Sequence, residues 1–550
     1  MSTASGMQPL RIRRFRALWL AWLCGHVGGL IHTVAASWLM LDLTGSALWV
    51  GLMAGSSTLP VLLLALPSGV VADVVDRRKV LFAAHATMAA AALAMAALWF
   101  ADAVTPGRLL GLGLLLGAGV AFNLPVSQAI VPDLVPRGLV ASAVALNTAG
   151  FNVARALGPT LGGIIVVAAG PGVAFLLNAV SYAVILVVVR SIRGEWRTEE
   201  ESSVASAVAI GLRYVRFTPP FGWLLGLVAL FALTSAVIQA ILPNLTRDVL
   251  GGGASTYGLL LGAMGAGALV GTLTRQRASR ALGPATVPLS IVGVGLSGVV
   301  VGLSGSTLLT GLAMVAAGVF WIWVLVTLGA TAQLLAPDWV RGRVMSLYSM
   351  VFPGFVPLGA ILAGTLGEAV GVAGAMISLS GTVVALGLVA LRSPLPAPDD
   401  VAVPGASPHD DLRQERQLDG GPVMVTNTWT IHSRDLTEFL EVMDRLRVLR
   451  LRSGAYRWRL YRDAGDPHTM TEFFLVRSWD DHLRQHRRTD PLAARLIDRT
   501  RVLDRAGGPM THHRVALEVA DPARRPERIE QLVAASDGVH GRATPGRVPQ

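Results

Sequence analysis

Twelve apolar runs fill most of residues 17–391, and each approaches or exceeds the roughly 20 residues that a helix needs to cross a bilayer. They cover Ala17–Leu41, Ala47–Ala72, Val80–Ala101, Leu109–Val131, Leu139–Ala169, Val173–Val189, Phe221–Leu245, Tyr257–Thr274, Pro284–Leu303, Thr307–Leu335, Val344–Gly367 and Val370–Leu391. Hydrocarbon offers a backbone amide no partner, so such a chain is confined to transmembrane helices. The uncharged stretch Ala281–Ala336 is too long for one crossing and divides at Ser304-Gly305-Ser306. The basic flank and apolar run of residues 11–29 have the form of a secretory leader. Because eleven further runs follow, they are read as a retained first span.

The charges show where the membrane body ends. Residues 1–391 hold 21 of the 46 Lys and Arg and 12 of the 35 Asp and Glu, so the last 159 residues are far more polar. If the N-terminus is cytoplasmic, one set of loops carries eighteen Lys and Arg, from Arg11 to Arg343, and the other only Arg108 and Arg247. That bias sets both termini in the cytoplasm of a multi-pass protein of the cell membrane. The net charge of +11 is almost all arginine, clustered at span ends in the apolar part, so the expected surface partner is the lipid bilayer and not nucleic acid. Cys24 is the only cysteine, which excludes disulfides within the chain and cysteine-based metal or redox centres.

Six spans lie on either side of a polar stretch, giving an N-terminal bundle (1–193), a central cytoplasmic loop (194–219) and a C-terminal bundle (220–393). The halves echo each other: QAIVPDLV (128–135) returns as QLLAPDWV (333–340), and TGSALWVGL (44–52) faces GGASTYGLL (252–260) at a similar offset. A duplicated unit with its site between the repeats is a transporter arrangement. A Pro-, Asp- and Gly-rich linker (394–422) leads to residues 423–520, whose pattern reads β-α-β-β-α-β, a ferredoxin-like cytosolic domain. Residues 521–550 read as a disordered tail. The expected fold is thus an all-α polytopic membrane protein of twelve helices in two bundles, followed by a small α+β domain.

Two motifs carry a family resemblance. GVVADVVDRRK (69–79) follows the second run, with Gly69, then Asp73 at the helix end, then Arg77, Arg78 and Lys79. This pattern resembles the loop signature of the major facilitator superfamily, although Val74 and Asp76 depart from it. The resemblance implies that Gly69, Asp73, Arg77 and Arg78 act in gating; a positive-inside anchor also accounts for the basic cluster. GPTLGG (158–163) is similar to the span-five signature of facilitator exporters and implies a gating role for Gly158, Pro159 and Gly162. Close helix packing accounts for the same glycines. With LTGSALWVGL and LPVSQAIVPDLVPR, these stretches resemble the transmembrane secretion effector branch, which includes enterobactin-type exporters, over residues 10–393. The tail, with RSGAYRWRLYRD and EFFLVRSWDDHLRQHRR, resembles antibiotic-biosynthesis monooxygenase folds.

Arg155 is the only charge between Gly138 and Val189. A guanidinium stays protonated and is costly in hydrocarbon, so it must face protein, water or a ligand. Thr148, Asn152, Pro159 and Gly162 lie within about 60° of it on a helical wheel, and a polar stripe of that kind lines a cavity. His26, His32, Asn123 and Gln239 complete the candidate substrate-binding set; Gln239 answers His32 at an offset of 207. No acid sits mid-span, so proton coupling would have to use His26, His32 or the peripheral Asp42. His482 and His486 have the spacing of a helical metal pair but no third ligand, so no metal and no cofactor is expected.

The resulting expectation is a secondary active exporter of small anionic or amphipathic metabolites, siderophore-like or drug-like, with no enzymatic activity, protons as the coupling ion and self-association through the tail. Its alternatives are an importer of the same fold and a tail acting as a cofactor-free oxygenase.

Overall fold

The computed structural model describes residues 7–191, 211–336, 338–393, 422–487 and 491–516. The expected linker up to residue 421, the central loop up to residue 210 and the tail 521–550 lie outside these. The chain divides into a unit of residues 1–402 and a unit of residues 403–550.

Among the described residues the first unit consists of helices and the turns that join them. Its N-terminal half contains α1 (Arg13–Thr44), α2 (Ala47–Ser56), α3 (Leu59–Val74), α4 (Arg77–Phe100), α5 (Pro106–Leu134), α6 (Val140–Ala169) and α7 (Pro171–Ser191). Its C-terminal half contains α8 (Pro219–Ser235), α9 (Val237–Ala240), α10 (Leu242–Asp248), α11 (Ala254–Leu282), α12 (Thr286–Leu303), α13 (Thr307–Leu335), α14 (Asp338–Val370) and α15 (Val372–Arg392). Among the described residues, 11 helical segments are long and apolar enough to cross a membrane. One of them, Ala254–Leu303, is 50 residues long, or about 75 Å at 1.5 Å per residue, against a hydrocarbon core of about 30 Å. It bends between α11 and α12, where Gly283 takes a φ of 53° and Pro284 follows.

Helix ends follow local chemistry. Gly45, at φ 65°, closes α1, and the Ser46 side chain caps α2 by accepting from Trp49 N. Two expected spans are broken. Ala47–Ala72 is interrupted at Ser57–Thr58 before Pro60, and Phe221–Leu245 is divided into α8, α9 and α10 before Pro243. Proline has no N–H to donate and its ring crowds the carbonyl four residues back, so each helix restarts with the proline in its first turn.

Within the N-terminal half, α1 packs on α6 and α7, and α4 on α5 and α7; within the other, α12 packs on α13 and α15, and α11 on α13. The halves meet along two seams, α6 with α11 and α2 with α14.

The second unit is an antiparallel four-stranded sheet in the order β2-β3-β1-β4, built from β1 (Val423–Thr430), β2 (Arg457–Arg462), β3 (Thr469–Val476) and β4 (Met510–Val515). The helices are α16 (Leu436–Ser453), α17 (Trp479–Arg487) and α18 (Pro491–Leu503), so the single helical stretch expected after β3 is two helices. Alternate residues of β1 and β3 are buried, and Trp429, Phe439, Met443, Leu446 and Met470 form one apolar cluster. Glu472 lies fully buried among them. It accepts from Asn427 Nδ2 at 2.6 Å, Trp458 Nε1 at 2.8 Å and Arg450 Nε at 3.3 Å, which satisfies a carboxylate that burial alone would exclude.

Candidate functional site

Arg155 stands in α6, half-buried, with no hydrogen bond or ion pair among the described residues. Asn152, also half-buried, lies one turn before it. The exposed His26 of α1 meets Phe151 edge-on with ring centroids 5.2 Å apart, so α1 and α6 bring His26, Asn152 and Arg155 to one region. Thr148 uses its hydroxyl locally, donating to Val144 O at 3.0 Å.

The other candidates are scattered. His32 is buried against Phe175 of α7, ring centroids 4.9 Å apart, with Nδ1 lacking a partner among the described residues. Asn123 is half-buried with Oδ1 unpartnered among the described residues, and Gln239 is half-buried in the short α9. The Gln128 side chain lies outside the described residues. In the second unit His482 is buried beside Trp479 and His513, and the His486 side chain is outside the described residues. Among those residues no group of three or more His, Cys, Asp or Glu is placed to hold a metal.

The GPTLGG motif serves two neighbours. A Cβ at Gly158 or Gly162 would meet α1, at Leu30 Cβ (2.7 Å) and Ile31 Cα (3.0 Å). Pro159 and Gly163 face the other half: a Cβ at Gly163 would stand 2.5 Å from Ala254 O, and one at Gly258 would stand 2.4 Å from Pro159 O. Further along α11, Gly265 lies against the carbonyl of Arg155 itself, 2.3 Å from an added Cβ. Gly258, Gly262 and Gly265 thus form a stripe of α11 that faces α6, and Gly267 and Gly271, on the opposite side of α11, abut Val315 and Val319 of α13.

The second seam has the same construction. A Cβ at Gly51 would stand 2.4 Å from Ala360 O, and one at Gly364 would stand 2.7 Å from Ala47 O. A polar clasp closes its end: Ser46 Oγ donates to Glu368 Oε1 at 2.6 Å, and Leu48 N to the same oxygen at 3.3 Å. The carboxylate thereby sits at the N-terminus of α2, where free amides and the helix dipole favour an anion. Nearby, Arg247 Nη1 donates to Leu41 O at 3.2 Å, joining α10 to α1.

At the other end of the helices the basic cluster is held within the N-terminal half. Arg77 pairs with Asp133 at 3.0 Å, and Arg78 donates to the carbonyls of Val189 and Arg190. Among the described residues nothing lies within 4 Å of a Cβ added at Gly69. The Asp73 side chain is outside the described residues.

Sequence reasoning overlooked Ser46, Gly51, Gly163, Gly258, Gly265, Gly364 and Glu368. A glycine stripe such as 258-262-265 is visible as spacing. The pairing of Ser46 with Glu368, 322 residues apart, has no local signal.

Comparison with known proteins agrees with this architecture. A family model described as "Transmembrane secretion effector" matches residues 4–521. The multidrug efflux pump Tap of Mycolicibacterium fortuitum is 26% identical over 70% of this chain and 96% of its own. The enterobactin exporter EntS of Citrobacter koseri is 28% identical over 67% of this chain and 88% of its own. A bacterial homologue of the human lysosomal transporter Spinster, solved in an inward-facing, unoccupied conformation, superposes with a TM-score of 0.58 at 15% identity, covering 70% of this chain and 96% of that one, which shows the fold. The chain is a multi-pass membrane transporter and belongs to the transmembrane secretion effector family of the major facilitator superfamily.

Proposed function

We propose that this chain exports small anionic or amphipathic metabolites by alternating access between two bundles of six membrane-spanning helices. The observation that carries the reading is Arg155: half-buried in a membrane helix, without a described partner, and beside the backbone seam between the halves. A cation that cannot discharge there suits an anionic solute. Relatives named for efflux and for enterobactin export support the outward direction and a drug-like or siderophore-like cargo. His26 and Asn152 are the other binding residues that this region favours, with Asn123, Gln239 and His32 in supporting places.

Twelve spans follow if Ala254–Leu303 crosses twice, which its length and its bend at Gly283 support. The arginine bias then puts both termini in the cytoplasm, with bundles at 1–193 and 220–393. The seams at Gly51–Gly364 and Gly163–Gly258 are the outer gate, and Gly69, Asp73, Arg77, Arg78, Gly158, Pro159 and Gly162 belong to the moving parts. Protons are the coupling ion of this reading, with exposed His26 and Asp42 within their reach. The β2-β3-β1-β4 order, antiparallel throughout, supports a ferredoxin-like domain over 423–520.

Everted membrane vesicles test the direction. Metabolite profiling of a deletion strain first identifies the retained compound; vesicles containing the protein should then accumulate it when energised. Accumulation only in right-side-out vesicles would establish an importer. Topology is tested separately: reporters fused after Arg197 and after Leu391 should both report cytoplasm, and an external signal at either position breaks the twelve-span arrangement.

A further inference from the structure

The two faces of the second unit's sheet differ. One buries Val425, Trp429, Glu472 and Phe474 beneath the helices. Strand register fixes what the other face presents. One row across it sets Leu475 and Met424 between Arg457 on β2 and Arg514 on β4, and the next sets Phe473 beside Arg459. The three arginines are exposed and form no ion pair among the described residues, and no carboxylate occupies these rows. Tyr461, in the third row, is 55% exposed.

We propose that this face docks on anionic lipid headgroups of the membrane that the rest of the chain spans. An apolar centre flanked by arginine on both edges matches the chemistry of an interface where acyl chains meet anionic headgroups. A second copy of the domain is a poorer occupant, because both edges are cationic and stacking the first rows of two copies sets arginine against arginine. The domain is also tethered covalently to the membrane-spanning unit. Thirty residues separate Arg392 at the end of α15 from Val423, and a chain of that length reaches at most about 100 Å.

The test uses the full chain in lipid nanodiscs. Cys24 is the only native cysteine, so Cys24→Ser with Thr428→Cys allows one environment-sensitive fluorophore on the open face. Emission should shift to the blue in discs containing phosphatidylglycerol, remain unshifted in phosphatidylcholine alone, and revert on raising the salt. Arg457→Gln, Arg459→Gln and Arg514→Gln should each weaken docking about fivefold, and together about a hundredfold. The salt titration needs no arginine substitution, so a poorly folded triple variant leaves the proposal falsifiable. Equal emission in both lipids overturns it, as does a shift indifferent to salt. A shift confined to discs holding two copies overturns it in favour of self-association.

Discussion

Arg155→Ala is expected to cut transport of anionic substrates about ten- to a hundredfold while leaving the protein in the membrane at its normal level. The guanidinium has no described partner to abandon, so its removal uncovers no buried carboxylate and relieves the membrane helix of a charge costing about 2.5–3.5 kcal/mol at the bilayer centre. The loss should fall on the substrate complex. A hydrogen bond to a charged group contributes about 1.5–3 kcal/mol, equivalent to a ten- to hundredfold loss of transport at limiting substrate. Arg155→Lys keeps the charge but lacks the planar fork, so it should transport at an intermediate rate. Neutral substrates should be affected least. Uptake into everted vesicles, normalised to protein abundance, checks all three. Disappearance of the Ala variant from the membrane would make Arg155 a structural residue, and normal anion transport by it would remove Arg155 from the site.

Filling the seam should be as damaging, through the conformational equilibrium. At Gly258 a Cβ would stand 2.4 Å from Pro159 O, and at Gly51 a Cβ would stand 2.4 Å from Ala360 O; both obstacles are backbone and cannot rotate away. Valine at either position is therefore expected to destabilise the closed seam by about 1–3 kcal/mol, shifting the population away from it by roughly five- to a hundredfold. Transport should fall because one half of the cycle becomes rare. Spin labels at Leu43 and Val370, both exposed, should report a longer second distance in each variant. Gly226→Ala is the control, since nothing described lies within 4 Å of its added Cβ. Unchanged distances and unchanged transport in Gly258→Val would show that the seam is not a moving contact.

The helices were legible because burial in lipid leaves a signal in every residue of a span. Their breaks were less so, since hydropathy averages over Pro60 and Pro243 while backbone chemistry does not. The strands were legible from alternation: Val423, Val425 and Trp429 point one way, Met424 and Thr426 the other. Arg155 stands out in the sequence because a lone charge in an apolar run has few places to go. Glu368 was not. Near a helix end it reads as an ordinary interfacial acid, and its bond to Ser46 depends on the relative placement of two halves that no periodicity encodes. Gly158 and Gly163 belong to one motif, yet the sequence does not say that the first faces α1 and the second α11.

The glycines of α11 also affect how the transporter can move. Helices that interlock through side-chain ridges must disengage before they slide, and disengaging opens voids. On α11 the contact with α6 at Gly258, Gly262 and Gly265, and the contact with α13 at Gly267 and Gly271, have little relief. The helix is in effect a slide bearing with two smooth tracks, along which short axial displacements meet few steric stops. Rearrangement of the halves along these tracks would break the clasp between Ser46 and Glu368 without first disengaging interlocked side chains.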